Sequence, residues 1–200
     1  MGAFSDDFTR ADASTLGSPW TEHAGDWGIL SNRGRCTSDS GNSDDLVWAT
    51  VDGGRPTQLV EWEMTDWQKG PVYLVFRFVD TDNLWFLAGT NNDEETLFVF
   101  RRLAGVESME AIATGVTWGA GYRLSVVTTP SRIRVYVDNT EVNDLNVASS
   151  VHGAATRAGL GGTARSSPPE TGPNRLQAAR WSFFSITPLP GARRSLGLRR

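Results

Sequence analysis

Glu61, Glu63 and Asp66 are the residues whose types and spacing come nearest to a reaction centre. They fall in the run Leu59-Val60-Glu61-Trp62-Glu63-Met64-Thr65-Asp66, where apolar Val60, Trp62 and Met64 alternate with Glu61, Glu63 and Thr65. Alternation with period two is a strand signature. It puts Glu61 and Glu63 on one face, about 6.5–7 Å apart at Cα. Retaining glycoside hydrolysis uses two such carboxyls, about 5 Å apart, one ionised and one protonated. Asp66 joins that face only if a bulge intervenes. The plainer reading is a solvated strand face with Trp62 and Met64 turned inward. Two acids two residues apart are common on half-exposed strands, so the sequence favours this reading over catalysis. A register that set Glu61 beside Arg77 would form a cross-strand ion pair and weigh further against catalysis.

A second set of residues suits binding rather than reaction. Tyr73, Arg77, Trp85 and Trp118 are the glycan-binding candidates, because rings stack on the apolar faces of sugars while Arg and carboxylates bind hydroxyls. For Trp85 and Trp118 the competing reading is core packing. Asp80, Asp82 and Asn83, with Asn91, Asn92 and Asp93, make oxygen-rich turns. Calcium takes six to eight such oxygens, but Asx residues also populate tight turns on their own account. The expectation is therefore no metal, with calcium at Asp80, Asp82 and Asn83 as the alternative. One cysteine and two histidines exclude a zinc site by number and context, and His23 and His152 lack the surroundings of a catalytic triad.

These residues need strands to position them, and the chain is written almost entirely in strands. The segment Val72 to Ala88 reads as a hairpin around Asp80-Thr81-Asp82-Asn83, with Leu74, Phe76 and Phe78 on one side and Tyr73, Val75 and Arg77 on the other. Gly or Pro punctuation recurs about every eight to twelve residues, the rhythm of an all-β sandwich. Further strands are expected at 4–9, 27–30, 33–37, 46–51, 59–67, 96–103, 107–113, 122–128, 133–137, 142–147, 157–162 and 180–187. With no crossover helices, they imply two antiparallel sheets packed face to face, with the early and late strands adjacent. At 200 residues the chain forms one domain, 1–187, followed by an Arg-rich tail, 188–200.

Net charge is −4, which argues against a nucleic-acid surface. No apolar run approaches the roughly 20 residues of a membrane helix, so no membrane insertion is expected. The opening MGAFSDDFTR has no apolar core of a signal peptide. Arg193, Arg194, Arg199 and Arg200 stand in the last thirteen residues without an acid, which suits a peptide arm that docks an acidic neighbour.

Asp6, Phe8, Arg10, Ala11 and Asp12, then Leu16, Gly17 and Trp20, then Gly25, Trp27, Ile29, Asn32 and Arg33 form an ordered set of motifs. They resemble the opening of concanavalin A-like, laminin-G-like jelly rolls. VYLVFRFVDTDNLWFLA, FRRLAGVESMEAIATG, GYRLSVVTTPSRIRVYVDNTEV, RAGLGG and the closing WSFFSI are similar to that family's later segments, so the resemblance spans roughly residues 4–187. It implies a β-sandwich with a concave face. Family members include glucanases, sugar-binding modules and virion proteins. The acids at 61, 63 and 66 match the glucanase spacing E-x-D-x-x-E, with the second and third identities swapped. The opening most resembles minor tail proteins of phages that infect actinobacteria. The expectation is thus a non-enzymatic virion subunit, in the tail or decorating the surface, in a multimeric assembly with other virion proteins. Glycans on its concave face are the further expected partner. The alternatives are a glycoside hydrolase acting on a β-glucan and a stand-alone, secreted carbohydrate-binding module.

Overall fold

A computed structural model describes residues 3–36, 46–66, 72–89, 95–163 and 180–190. The strands in chain order are β1 (Phe4–Asp6), β2 (Thr21–Ala24), β3 (Trp27–Ile29), β4 (Gly34–Cys36), β5 (Leu46–Asp52), β6 (Gln58–Asp66), β7 (Val72–Asp80) and β8 (Asn83–Gly89). They continue as β9 (Leu97–Leu103), β10 (Val106–Ala113), β11 (Arg123–Thr129), β12 (Arg132–Val137), β13 (Thr140–Glu141), β14 (Val147–Ala148), β15 (Arg157–Thr163) and β16 (Arg180–Pro188). The only helical turn among the described residues is 3-10, at Asn143–Leu145.

Two antiparallel sheets result. The first runs β13-β12-β11-β6-β16-β4-β3, with β1 beside β16 and β14 beside β12; the second runs β10-β9-β8-β7-β15-β5-β2. The ends of the chain pair as expected, Phe4 with Ile186 and Asp6 with Phe184. Local chemistry closes several hairpins. Ser31 and Asn32 both take positive φ, 53° and 59°, as do Ala104 and Gly105, 50° and 80°. Paired left-handed residues match the twist of the flanking strands, which is why such two-residue loops join β3 to β4 and β9 to β10.

The core lies between the sheets. Val60, Trp62, Val126, Val135, Phe184 and Ile186 come from the first sheet, and Val47, Ala49, Leu74, Phe76, Trp85, Leu87, Val99 and Leu160 from the second. A separate apolar layer sits on the outer side of the second sheet: Trp48, Tyr73, Val75, Phe78, Leu84, Phe86 and Ala88, with Leu46, Phe98 and Phe100 packed against them. Glycine builds part of it. A Cβ on Gly161 would lie 2.3 Å from Trp48 Cε3, so the missing side chain lets that indole lie across β15 and reach Tyr73, 5.7 Å between centroids.

The hairpin of β7 and β8 departs from simple alternation. Arg77 takes φ 47°, and the register shifts between Phe76 and Asp80. Such a bulge inserts a residue and reverses which side follows. Phe78 therefore joins the outer layer instead of the core, and Arg77 is buried at 1% exposure instead of facing an open side. Three smaller expectations also change. Residues 142–147 form the 3-10 turn between two two-residue strands, not one strand. Residues 21–24 form a strand that alternation in the sequence did not mark. Trp67, expected to end the β6 strand, lies outside the described residues.

Candidate functional site

β6 sits in the middle of the first sheet, between β11 and β16. With Val60 and Trp62 in the core, its alternate residues Glu61 and Glu63 share the outer face. Register supplies their neighbours. Glu61 stands opposite Ser125 on one side and Ser185 on the other; Tyr136 follows beyond Ser125, then Glu141, and Ser5 lies beyond Ser185. A single polar line thus crosses six strands, with Glu61 near its middle. Ser185 Oγ donates to Glu61 Oε2 at 3.0 Å, and Ser125 Oγ lies 3.5 Å from Oε1. Both serines are buried, while Glu61 is half-buried.

Glu63 belongs to the next line, between Arg123 and Phe183. Arg123 Nη2 lies 3.5 Å from Glu63 Oε2, and its guanidinium stands 4.9 Å from the Phe183 ring centre. Arg134 and Glu141 make a looser pair at 3.9 Å. Arg123 and Arg134 therefore each have a carboxylate. Glu61 has serine hydroxyls and, among the described residues, no ion pair. Asp66 ends the strand three residues further on.

The residues expected to hold a sugar do not come together here. Trp85 and Trp118 are buried in the core at 0% and 1% exposure, which corrects their placement on an open face. A Cβ on Gly89 would lie 1.9 Å from Trp118 Cη2, so the indole fills space that only glycine leaves. Trp85 Nε1 donates to the Val151 carbonyl at 3.1 Å. Tyr73 does lie on the outer side of the second sheet, but at 8% exposure within an aromatic layer. Its ring is 4.9 Å from that of Phe86.

Arg77 is furthest from its expectation. β6 and β7 belong to different sheets, so no register can bring Arg77 beside Glu61. Its Nη1 donates to the carbonyls of Ser149 and Val151 at 2.9 and 3.1 Å, and its Nη2 to those of Thr129 and Arg132. The guanidinium pins the β11–β12 turn and the 149–151 segment to the second sheet. Burial brings its pKa down to about 10, which leaves it charged at neutral pH.

The acidic turn is occupied by its own chain. Asp80 Oδ1 accepts from the Asp82 N–H and the Asn83 amide at 2.9 Å, Asn83 Oδ1 accepts from Ala104 N–H at 3.1 Å, and Asp82 lies 3.6 Å from Arg102. Hydrogen bonds from Asn83 and Asp82 outweigh the slight burial of Asp80 and hold its carboxyl below the usual range. These bonds fix the hairpin tips of β7–β8 and β9–β10 to each other. No group of three metal-ligating side chains gathers among the described residues. Asn91, Asn92, Asp93 and the tail residues Arg193, Arg194, Arg199 and Arg200 lie outside the described residues.

Two clusters gather residues whose contacts the sequence did not signal. Asp6, 9% exposed, accepts from Phe8 N–H at 2.8 Å, Arg10 Nη1 at 2.6 Å and Trp20 Nε1 at 2.8 Å. Burial alone would raise its pKa; the Arg10 and Trp20 bonds outweigh that and lower it. The D-x-F-x-R and L-G-x-x-W motifs are thus one knot that ties the first loop to β1. On the outer side of the second sheet, Arg157 Nε donates to Thr50 Oγ1 at 3.0 Å. The same Thr50 hydroxyl lies 2.8 Å from His23 Nε2. Burial first, and Arg157 second, keep the His23 pKa below 6.5.

Solved structures share this fold. The carbohydrate binding module CBM66 from Bacillus subtilis matches with TM-score 0.56 and 18% identity, over 84% of this chain and 94% of that one. A β-glucanase from Bacillus licheniformis matches with TM-score 0.61 and 14% identity, over 94% and 99%. The fold is a concanavalin A-like jelly roll. An endo-β-1,3-glucanase from Pyrococcus furiosus has the same jelly roll, with TM-score 0.58 and 14% identity, over 94% of both chains. Identities this low carry the fold and not the activity. No family model and no curated protein sequence matches the chain.

Proposed function

We propose that this jelly roll is a non-enzymatic, glycan-binding subunit of a phage virion, placed in the tail or on the particle surface. The observation that carries the non-enzymatic part is the setting of the two acids. Retaining hydrolysis needs one carboxyl held protonated, which takes a desolvating, apolar pocket. Glu61 and Glu63 stand instead on a half-open face, among two serine hydroxyls and the Arg123 guanidinium. The same face suits recognition of hydroxyl groups. It offers carboxylate acceptors at Glu61 and Glu63, the first oriented by the buried Ser125 and Ser185 hydroxyls, and rings at Tyr136 and Phe183. The shared fold with a carbohydrate binding module supports binding. The resemblance of Asp6–Arg33 to minor tail proteins of actinobacterial phages supports the virion. In that setting the basic tail would serve as a docking arm for neighbouring virion proteins.

The competing reading is a glycoside hydrolase acting on a β-glucan. It is favoured by one observation, that Glu61 and Glu63 do share a face of a fold that also serves glucanases. Incubation with laminarin and lichenan separates the two. The proposal expects the protein to be retained on the immobilised glucan with no release of reducing ends. Release that disappears in Glu61→Gln or Glu63→Gln would establish the hydrolase instead. For the virion, antibody against the chain is expected to label purified particles; a protein found only free in the lysate would remove that part of the proposal.

A further inference from the structure

Four of the five exposed large apolar side chains among the described residues lie in one hairpin: Leu103, Val106, Met109 and Ile112. Their exposures are 44%, 71%, 54% and 44%. The hairpin is β9–β10, and among the described residues β10 is the outermost strand at its end of the second sheet. An apolar strand at an open edge presents unpaired backbone groups beside greasy side chains, which chains normally avoid unless the edge has a partner.

The register shows what the edge continues. β10 carries a bulge between Met109 and Ala111, so Met109 pairs with Phe100 and Ile112 with Phe98. Without the bulge, residues three apart would point to opposite sides. With it, Met109 and Ile112 share the outer side of the sheet. They are the exposed ends of two apolar lines, Met109-Phe100-Phe86-Val75 and Ile112-Phe98-Ala88-Tyr73. Both lines run from the edge into the buried outer layer.

The charges of the edge are already matched within the chain. Glu107 lies 3.3 Å from Arg102, and Glu110 lies 3.0 Å from Arg101. The strand thus offers no unmatched charge to a basic or acidic peptide. Its complement is a strand that brings apolar residues to Met109 and Ile112 and sets no acid opposite Glu107 or Glu110. A second β10 does this. In an antiparallel pair related by a two-fold axis, Met109 of each copy faces Ile112 of the other. Glu110 then faces Ala111, Ser108 faces Ala113, and Glu107 faces Thr114. No acid meets an acid, and each apolar line continues into the second copy.

We propose that two copies of this chain join edge to edge through β10, in the register that sets Met109 against Ile112. The contact is isologous, so it closes at a dimer and uses up the exposed edge. It is independent of glycan binding, which the proposed function places on the other sheet.

Sedimentation equilibrium from micromolar to millimolar protein is expected to give a reversible dimer, twice the 21.8 kDa of one chain. Met109→Lys puts a charge at the apolar pair and is expected to weaken the dimer about tenfold or more. Its thermal midpoint should stay close to wild type, because Met109 is 54% exposed. The register has its own test. Cross-strand partners approach within disulfide range, so a mixture of Met109→Cys and Ile112→Cys chains should cross-link on mild oxidation, and either chain alone should not. A monomer across the whole range would overturn the proposal, as would a dimer indifferent to Met109→Lys. Equal cross-linking of Met109→Cys chains with themselves would overturn the register.

Discussion

The two sheets of this sandwich turn opposite characters outward. The first sheet shows a line of serines, glutamates and a tyrosine across six strands, with Glu61 half-buried at its middle. The second shows aromatic rings in contact: Trp48 to Phe86 at 5.6 Å, and Phe86 to Phe100 at 5.3 Å. A jelly roll has one core to fill, and either outer face is free to specialise. Here one face carries carboxylates and hydroxyls. The other adds a second apolar layer that runs out to β10, the end strand among the described residues. The difference teaches that aromatic content is a poor guide to a binding face. The large rings of this chain are spent on packing, and the face best suited to a polar ligand is made of short and charged side chains.

Arg77 is where the contrast is most easily broken. The bulge it occupies sends Phe78 to the outer layer and its own guanidinium to four carbonyls. Arg77→Met leaves those carbonyls without donors, and is expected to cost about 3–5 kcal/mol in chemical unfolding, the range for removing one partner of a buried charged network. Next comes the outer layer itself. Phe86 is 2% exposed, so Phe86→Ala is expected to cost about 3–4 kcal/mol, as for deletion of a core ring. A cost near zero would mean that this layer is surface and not a second core.

Acid sharpens the contrast in a different way, because a histidine stands only on the aromatic side of the two outer faces among the described residues. The His23 pKa is held below 6.5 by burial and by Arg157. As the pH falls through 6.5, the unfolded chain therefore takes up a proton before the folded one does. Stability that is fully present above that pH is lost as the pH drops toward the folded value. The His152 pKa is lowered chiefly by burial and contributes with the same sign. The melting temperature is expected to decline from neutral pH to pH 5, and less steeply in His23→Gln. The smallest effect on the fold belongs to the polar face: Glu61→Gln keeps one oxygen for the serine hydroxyls and is expected to cost about 1 kcal/mol, the level of a single hydrogen bond.

Much of this architecture was legible in the chain. Alternation marked β6 and the first half of β7, and Gly or Pro punctuation set off β5, β8, β9, β11 and β12, because both signals are local. The shared face of Glu61 and Glu63 was legible for the same reason, with Val60 and Trp62 between and beside them. Their neighbours were not. Ser125 and Ser185 lie 64 and 124 residues away from Glu61 in the chain, and only strand register brings them to it. The sides of Phe78 and Arg77 were misjudged because one bulge reverses parity without a mark in composition. Trp85 has apolar neighbours on both sides in the sequence, and both sides of its strand proved to be buried. Alternation says nothing about such a strand.

The most direct test of the account is a binding titration on the polar face, read together with product release. Wild-type protein, Glu61→Ala and Phe86→Leu would be titrated with laminarin oligosaccharides by calorimetry, and the same samples assayed for new reducing ends. The account predicts binding by wild type and by Phe86→Leu, a loss of about tenfold or more in Glu61→Ala, where a charged acceptor is removed, and no new reducing ends in any sample. Reducing ends that accumulate with wild type and vanish with Glu61→Ala would contradict it.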